Sequence, residues 1–218
     1  MWEWAVVEEH LPAMWEGLLV TIEATAWGIA LAMSLGLVVA IVRRVSPVFI
    51  RLPLIAVLEF IRSTPLLVQL FFLYFVLPNY GIVLSAFETG VIALGIHFAT
   101  YTAEVYRSGI EGVDLGQWEA STALSLNPWH KWTRVILPQA IPRVIPALGN
   151  YLVAMLKEAP LLSAITVIDV VGEAKQICSS EFNCLEPYTM AGVMFLAVSI
   201  PASILARTVE ARFGTATA

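Results

Sequence analysis

Five apolar runs dominate the chain, at about residues 18–42, 52–77, 87–106, 144–171 and 188–206. Each approaches or exceeds the roughly 20 residues that an α-helix needs to cross the hydrocarbon of a bilayer. A backbone in lipid must satisfy its own hydrogen bonds, so runs of this length predict helices. Arg43, Arg44 and Arg51 follow the first run, and the turn cluster Pro78-Asn79-Tyr80-Gly81 closes the second. One stretch, residues 114–142, is neither a membrane-length run nor a short turn. Its pattern predicts two short amphipathic helices with a tight connection. Asp114 and Gln117 have the spacing of a capping box, and Asn127-Pro128 that of an N-cap followed by its first helical residue. The expected architecture is an all-α membrane protein, one domain over residues 1–218, with five transmembrane helices and a helical hairpin outside the bilayer.

Composition supports that class. The chain has 218 residues, of which 59% are hydrophobic and 13% charged, with a mean hydropathy of +0.80. Soluble domains carry about 25% charged residues. A net charge of −5 argues against a nucleic-acid partner. The first seventeen residues hold Glu3, Glu8, Glu9 and Glu16 but no Lys or Arg, so no cleaved leader is expected there. The 42–51 loop, the 107–143 segment and the tail after Ala206 together hold nine of the twelve basic residues, and the 78–86 loop holds none. The positive-inside rule therefore predicts an external N terminus and a cytoplasmic C terminus and hairpin. No GxxxxGK[ST] segment occurs, so ATP, if it drives this protein, is expected on another polypeptide.

Charges inside the runs are costly and so point to partners or wet cavities. In the second run Glu59, Arg62 and Gln69 fall within about 80° of one another at 100° per residue, which predicts one polar face, with Pro65 breaking the helix beside it. In the third, His97, Tyr101, Glu104 and Ser108 form a polar stripe. Glu104 with Arg107 reads as a structural i,i+3 pair, and His97 as a satisfied interior histidine. In the fourth, Lys157-Glu158-Ala159-Pro160 interrupts the apolar pattern, and a broken helix at mid-membrane frees backbone groups for a solute. Cys178 and Cys184 share one outward-facing loop with five residues between them, where a disulfide fits an oxidising compartment. Two sulfurs without a nearby His are half a zinc site, so no metal is expected.

Several segments resemble those of a known family. Glu119-Ala120-Ser121, followed after an apolar turn by Ile136-Leu137-Pro138-Gln139-Ala140, is similar to the EAA loop of permease subunits in bacterial ABC importers of the polar amino-acid uptake family. Arg62-Ser63-Thr64-Pro65-Leu66-Leu67 resembles that family's RGTPLL segment, with Ser63 for Gly. Residues 100–107 resemble its AYxxExxR run. Leu156 to Ser163 resembles LKDTSLLS with Ala159-Pro160 replacing Thr-Ser, a variant most like ectoine and hydroxyectoine permeases. Two departures fall in the loop: Ser121 stands for the usual second Ala, and Ser125 for a Gly. Gly would enter the left-handed region readily and Ser less so, which leaves Asn127 as the alternative residue to take that turn.

The resemblance implies the type I ABC importer permease fold, in the bacterial inner membrane. It makes Glu119, Ala120, Ser121, Ser125, Leu126 and Pro138 the ATPase-coupling residues. It implies a dimer of cytoplasmic ATPases, a second permease subunit, an extracytoplasmic solute-binding protein and surrounding lipid as partners, with no cofactor and no catalysis in this chain. Lys157, Glu158, Arg62, Glu59, Tyr101 and Gln69 are the candidate solute contacts, with Pro65, Pro160, Glu104 and Arg107 structural. A channel or receptor subunit would account for the spans but not for the hairpin. An intramembrane hydrolase would have to pair Ser163 with His97, and neither GxSxG nor HExxH is present.

Overall fold

The computed structural model describes residues 2–214, so Met1 and residues 215–218 of the single-domain reading lie outside the described residues. All regular structure among the described residues is helical. Helix α1 (Trp4–Val45) is followed by α2 (Val48–Ser63) and α3 (Leu66–Phe71). Helix α3 continues through a wide π-turn at Phe72–Val76 into a 3₁₀ turn at Leu77–Tyr80. Then come α4 (Ala86–Glu111), α5 (Leu115–Ala123) and the short α6 (Pro128–His130). A second π-turn at Lys131–Ile136 leads into α7 (Leu137–Glu158), which tightens to 3₁₀ at Ala159–Ile165. Helices α8 (Val170–Glu181) and α9 (Leu185–Gly214) complete the chain.

Proline explains much of this irregularity. Both π-turns end two residues before a proline, Pro78 and Pro138. A proline lacks the N–H and crowds the carbonyl four residues back, and a widened turn relieves both faults. At Pro65 the chain gives up helicity instead. Thr64 and Pro65 are extended, and Val48–Ser63 and Leu66–Tyr80 meet at a 102° bend.

The structure corrects several expected boundaries. The first helix begins at Trp4 rather than Leu18. Its 42 residues span ~63 Å, about twice the hydrocarbon, because hydropathy marks what lies in lipid and not where a helix starts. The run at 52–77 is bent, not straight. The second arm of the hairpin is not a short helix but the start of a helical rod running into α7. The outward loop expected at 172–187 is helix as far as Glu181. By length and apolarity, α1 and α9 each qualify as membrane spans, and the two bent pairs raise the number to four. Helix α4, at 26 residues, is long enough but less apolar, and it carries Glu88, Glu104, Arg107 and Glu111.

Helices α1 and α4 form the spine, with α7 against α4 and α9, and α8 against α1 and α9. Small residues set that contact, as bilayer packing without a hydrophobic drive between helices requires. Gly36 approaches α4 so closely that a Cβ there would lie 2.1 Å from Thr102 Oγ1, and that hydroxyl donates to Ala32 O at 2.8 Å. Three apolar clusters follow along the spine. The central one gathers Ala24, Leu94, Phe98, Met155 and Leu162, one lies near the hairpin around Ile110 and Ile136, and one at the far end joins Met14 and Leu18 to Ile177 and Met190. Large apolar side chains such as Trp27, Phe60, Phe72 and Leu196 face outward, as a lipid solvent permits.

Candidate functional site

The break at Pro65 turns α3 back so that Gln69 faces the end of α2 and the middle of α4. Its amide nitrogen donates to Ile61 O at 2.6 Å, Thr64 O at 3.1 Å and Thr64 Oγ1 at 2.7 Å, which caps the carbonyls that the break leaves free. Its oxygen lies 3.2 Å from Nδ1 of the buried His97. Glu59, Arg62 and Gln69 therefore do not share one straight helical face, as the periodicity predicts. Two of them form an ion pair on α2, and the third belongs to a different segment that seals the bend.

Around that bend lies an aromatic and charged cluster. The Arg62 guanidinium sits 6.0 Å from the Tyr101 ring centroid. Tyr101 in turn lies 5.4 Å from His97 and 5.6 Å from Tyr151 of α7, centroid to centroid. Glu158 ends α7, the helix that carries Tyr151. Glu59, Arg62, Gln69, Tyr101 and Tyr151 thus converge from α2, α3, α4 and α7, with Glu158 two turns along α7 from Tyr151. Lys157 does not join them. It is exposed and has no hydrogen bond or ion pair among the described residues, since adjacent helical positions point 100° apart. Sequence reasoning passed over Tyr151, although Tyr151 and Glu158 are seven residues apart and so share one face of α7. Chemically, the cluster offers a cation for a carboxylate, and carboxylates with aromatic faces for a cation. The 3₁₀ turn after Glu158 ends at Thr166 in the left-handed region (φ 67°), and Thr166 Oγ1 lies 2.9 Å from Tyr74 OH on the chain leaving α3. Ser163 bonds Pro160 O and His97 meets Gln69, so they do not form a nucleophile and base pair.

The hairpin is the second candidate. Asp114 caps α5 through Gly116 N at 2.7 Å, but no capping box forms, because the Gln117 side chain reaches across to Gln139. Asn127 accepts from Trp129 N at 2.8 Å, with Pro128 first in the helix. The turn itself is made by Ser125 (φ 50°), while Asn127 stays at φ −54°. The arms are joined by Lys131 Nζ donating to Thr122 Oγ1 at 2.9 Å and by Trp118 edge-on to Trp132 at 5.5 Å. Arg44 of α1 lies 5.2 Å from the Trp118 ring, which ties the hairpin to α1, and just beyond the hairpin Arg143 of α7 donates to Gly112 O at the end of α4. Ser121 is buried and donates to Trp118 O, which explains the need for a small residue there. Leu126 is half-buried, and Glu119, Ala120 and Pro138 are exposed. Ser125→Gly should stabilise the hairpin by about 1 kcal/mol, since a side chain in the left-handed region costs about that much. The check is slower proteolysis of the 114–142 segment, and an unchanged or faster rate would contradict it.

Glu104 pairs not only with Arg107 (2.7 Å) but also with Arg43 of α1 at 2.5 Å, a partner 61 positions away that no local pattern reveals. Cys178 and Cys184 are joined in a disulfide beside the C-terminal end of α8, near the His10–Glu181 contact of 3.4 Å.

Comparison with known proteins adds to this geometry. Residues 28–215 match the family described as binding-protein-dependent transport system inner membrane component. The chain is 49% identical to "Probable amino-acid ABC transporter permease protein y4tG" of Sinorhizobium fredii over 200 residues, which cover 92% of this chain and 87% of that one. Among solved structures, it is similar to a chain of an amino acid ABC transporter crystallised with histidines, at a TM-score of 0.86 and 34% identity, covering 97% of this chain and 99% of the other. It shares only the fold with the methionine transporter MetNI in an inward-facing form, at a TM-score of 0.65 and 18% identity, covering 89% and 93%.

Proposed function

Because the chain belongs to the family of binding-protein-dependent transport system inner membrane components, we propose that it carries polar amino acids, or a zwitterion of like chemistry, through the membrane half of an ATP-driven importer. It is a transport component and not itself an ATPase. The observation that carries this reading is the hairpin, its arms joined by Lys131–Thr122 and Trp118–Trp132 and tied to α1 through Arg44–Trp118, with Arg143 of α7 bonded to the end of α4 beside it. A pair of cytoplasmic ATPases would seat on its exposed face at Glu119, Ala120 and Leu124. A second permease subunit completes the path, and an external binding protein delivers the solute. ATP-driven closure moves the 119–126 segment as a lever. It rocks α1 and α4 and opens the cluster around Tyr101 to alternate sides.

In this reading the five spans are α1, the bent α2–α3 pair, α4, α7 and α9, with the N terminus outside and the C terminus in the cytoplasm. The basic residues beside α1, the hairpin and the end of α9 support that orientation. Arg62 takes the solute carboxylate. Glu59, Glu158 and the faces of Tyr101 and Tyr151 take its cationic end. The named y4tG relative and the amino acid transporter structure support an amino-acid-like solute. The finer assignment to ectoine and hydroxyectoine rests on the Leu156–Ser163 segment, whose cyclic amidinium and carboxylate ligand would suit the same groups.

The test reconstitutes the permease with its ATPases and measures ATP hydrolysis against binding protein loaded with ectoines and polar amino acids in turn. Stimulation by at least one such solute is expected. Tyr101→Ala should raise the half-saturating solute concentration about tenfold, the size of a desolvated cation–π contact, with Tyr101→Phe close to the parent. A flat response across the panel, or an unmoved half-saturation in Tyr101→Ala, would count against the assignment.

A further inference from the structure

A cavity of ≈ 320 Å³ opens between the last turn of α1, the first turns of α2 and the end of α4. Four guanidinium groups line it, those of Arg43, Arg44, Arg51 and Arg107. Against them stand two carboxylates, Glu111 in the lining and Glu104 behind it. Glu104 holds Arg43 and Arg107, and Glu111 holds Arg107 a second time at 2.6 Å. Arg44 meets only the Trp118 ring, and the Arg51 side chain meets no acceptor among the described residues. A surplus of two positive charges therefore faces the cavity. The Arg43 side chain is 11% exposed, yet its Nε is buried and has no hydrogen-bond partner.

The cavity has a second character. Leu52, Ile55 and Ile110 make an apolar wall. That wall is continuous with the outer face of α2, where Phe49, Leu52 and Phe60 are exposed. Such a site is charged at the end of the apolar run of α1 and greasy along the adjoining helix, so it fits an amphiphile lying in the bilayer better than a free anion. Guanidinium groups bind phosphate oxygens in bidentate fashion, and basic pockets between membrane helices on the cytoplasmic side take anionic headgroups.

We infer that this cavity binds the phosphate of an anionic phospholipid in the leaflet at the C-terminal end of α1, with the acyl chains lying against α2. The phosphate accepts from Arg44 and Arg51 at the mouth. The bound lipid joins α1, α2 and α4 within one contact of the hairpin, through Arg44 and Trp118.

Native mass spectrometry of the complete transporter, offered equal amounts of phosphatidylglycerol and phosphatidylcholine, tests this directly. Retention of phosphatidylglycerol over phosphatidylcholine by at least about tenfold is expected. Arg51→Gln should lower that retention about fivefold, and Arg44→Gln with Arg51→Gln about thirtyfold, while Arg51→Lys keeps it. Equal retention of the two lipids by the unmodified complex would overturn the inference whatever the variants do, as would undiminished retention in the folded double variant. Displacement of the lipid by inorganic phosphate would also overturn it, because the cavity would then be a site for a free anion.

Discussion

Glu119→Lys should lower solute uptake by about two orders of magnitude while leaving the protein folded and inserted. Glu119 is exposed on α5, and its carboxylate has no hydrogen bond or ion pair among the described residues. Reversing an exposed, unpaired charge alters stability by no more than about 0.5 kcal/mol. At a docking surface the same reversal sets like charges together and costs several kcal/mol, which amounts to a hundredfold or more. The difference between those magnitudes separates a lever from an ordinary loop. Uptake into proteoliposomes and ATP hydrolysis by the same preparation are the measurements. Hydrolysis should persist at the unstimulated rate and lose its response to loaded binding protein. Normal uptake by the variant would remove Glu119 from the coupling surface.

The second large effect is expected at Gly36. The α1–α4 contact lets backbones approach because Gly36 has no side chain, and Thr102 fills that space with its hydroxyl on Ala32 O. An added methyl would lie 2.1 Å from Thr102 Oγ1 and 3.0 Å from the Ala103 nitrogen. The hydroxyl can turn away, but the backbone nitrogen cannot. Gly36→Ala should therefore cost about 2–3 kcal/mol in overpacking and in the lost interhelical bond. The thermal midpoint of the purified permease should fall clearly. Combination with Thr102→Ala should recover part of the loss, because it empties the space the methyl needs. No fall in the single variant, or no recovery in the double, would show that this contact does not govern the pairing of the two helices.

The candidate site was legible in part. Charges within apolar runs singled out Glu59, Arg62 and Glu158, because burying charge is costly wherever it occurs along the chain, and a polar stripe singled out Tyr101. Glu59, Arg62 and Tyr101 do meet, while Lys157 stays exposed and apart from them. Periodicity reports which face of a helix a residue occupies only while the helix stays straight. Pro65 ended that condition, which is why Gln69 lies on another segment, bonded to the carbonyls that the bend exposed. At the hairpin, local chemistry identified Asn127-Pro128 as a helix start. It misjudged Gln117, whose amide has a better partner across the hairpin in Gln139. It also offered Asn127 for a turn that Ser125 makes, because the contacts joining the arms outweigh a single residue's backbone preference.

By itself, then, the chain's order of residues determined the solvent, the approximate apolar runs, the helical elbow between them and the break at Pro65. Each of these depends on apolarity or backbone chemistry carried by neighbours along the chain. Tertiary structure alone decided the 102° fold-back, the use of α8 where a loop was expected, the meeting of Arg43 with Glu104, and the arginine-lined cavity beneath them. These depend on distances between residues far apart in sequence, and only the packing of helix on helix sets such distances.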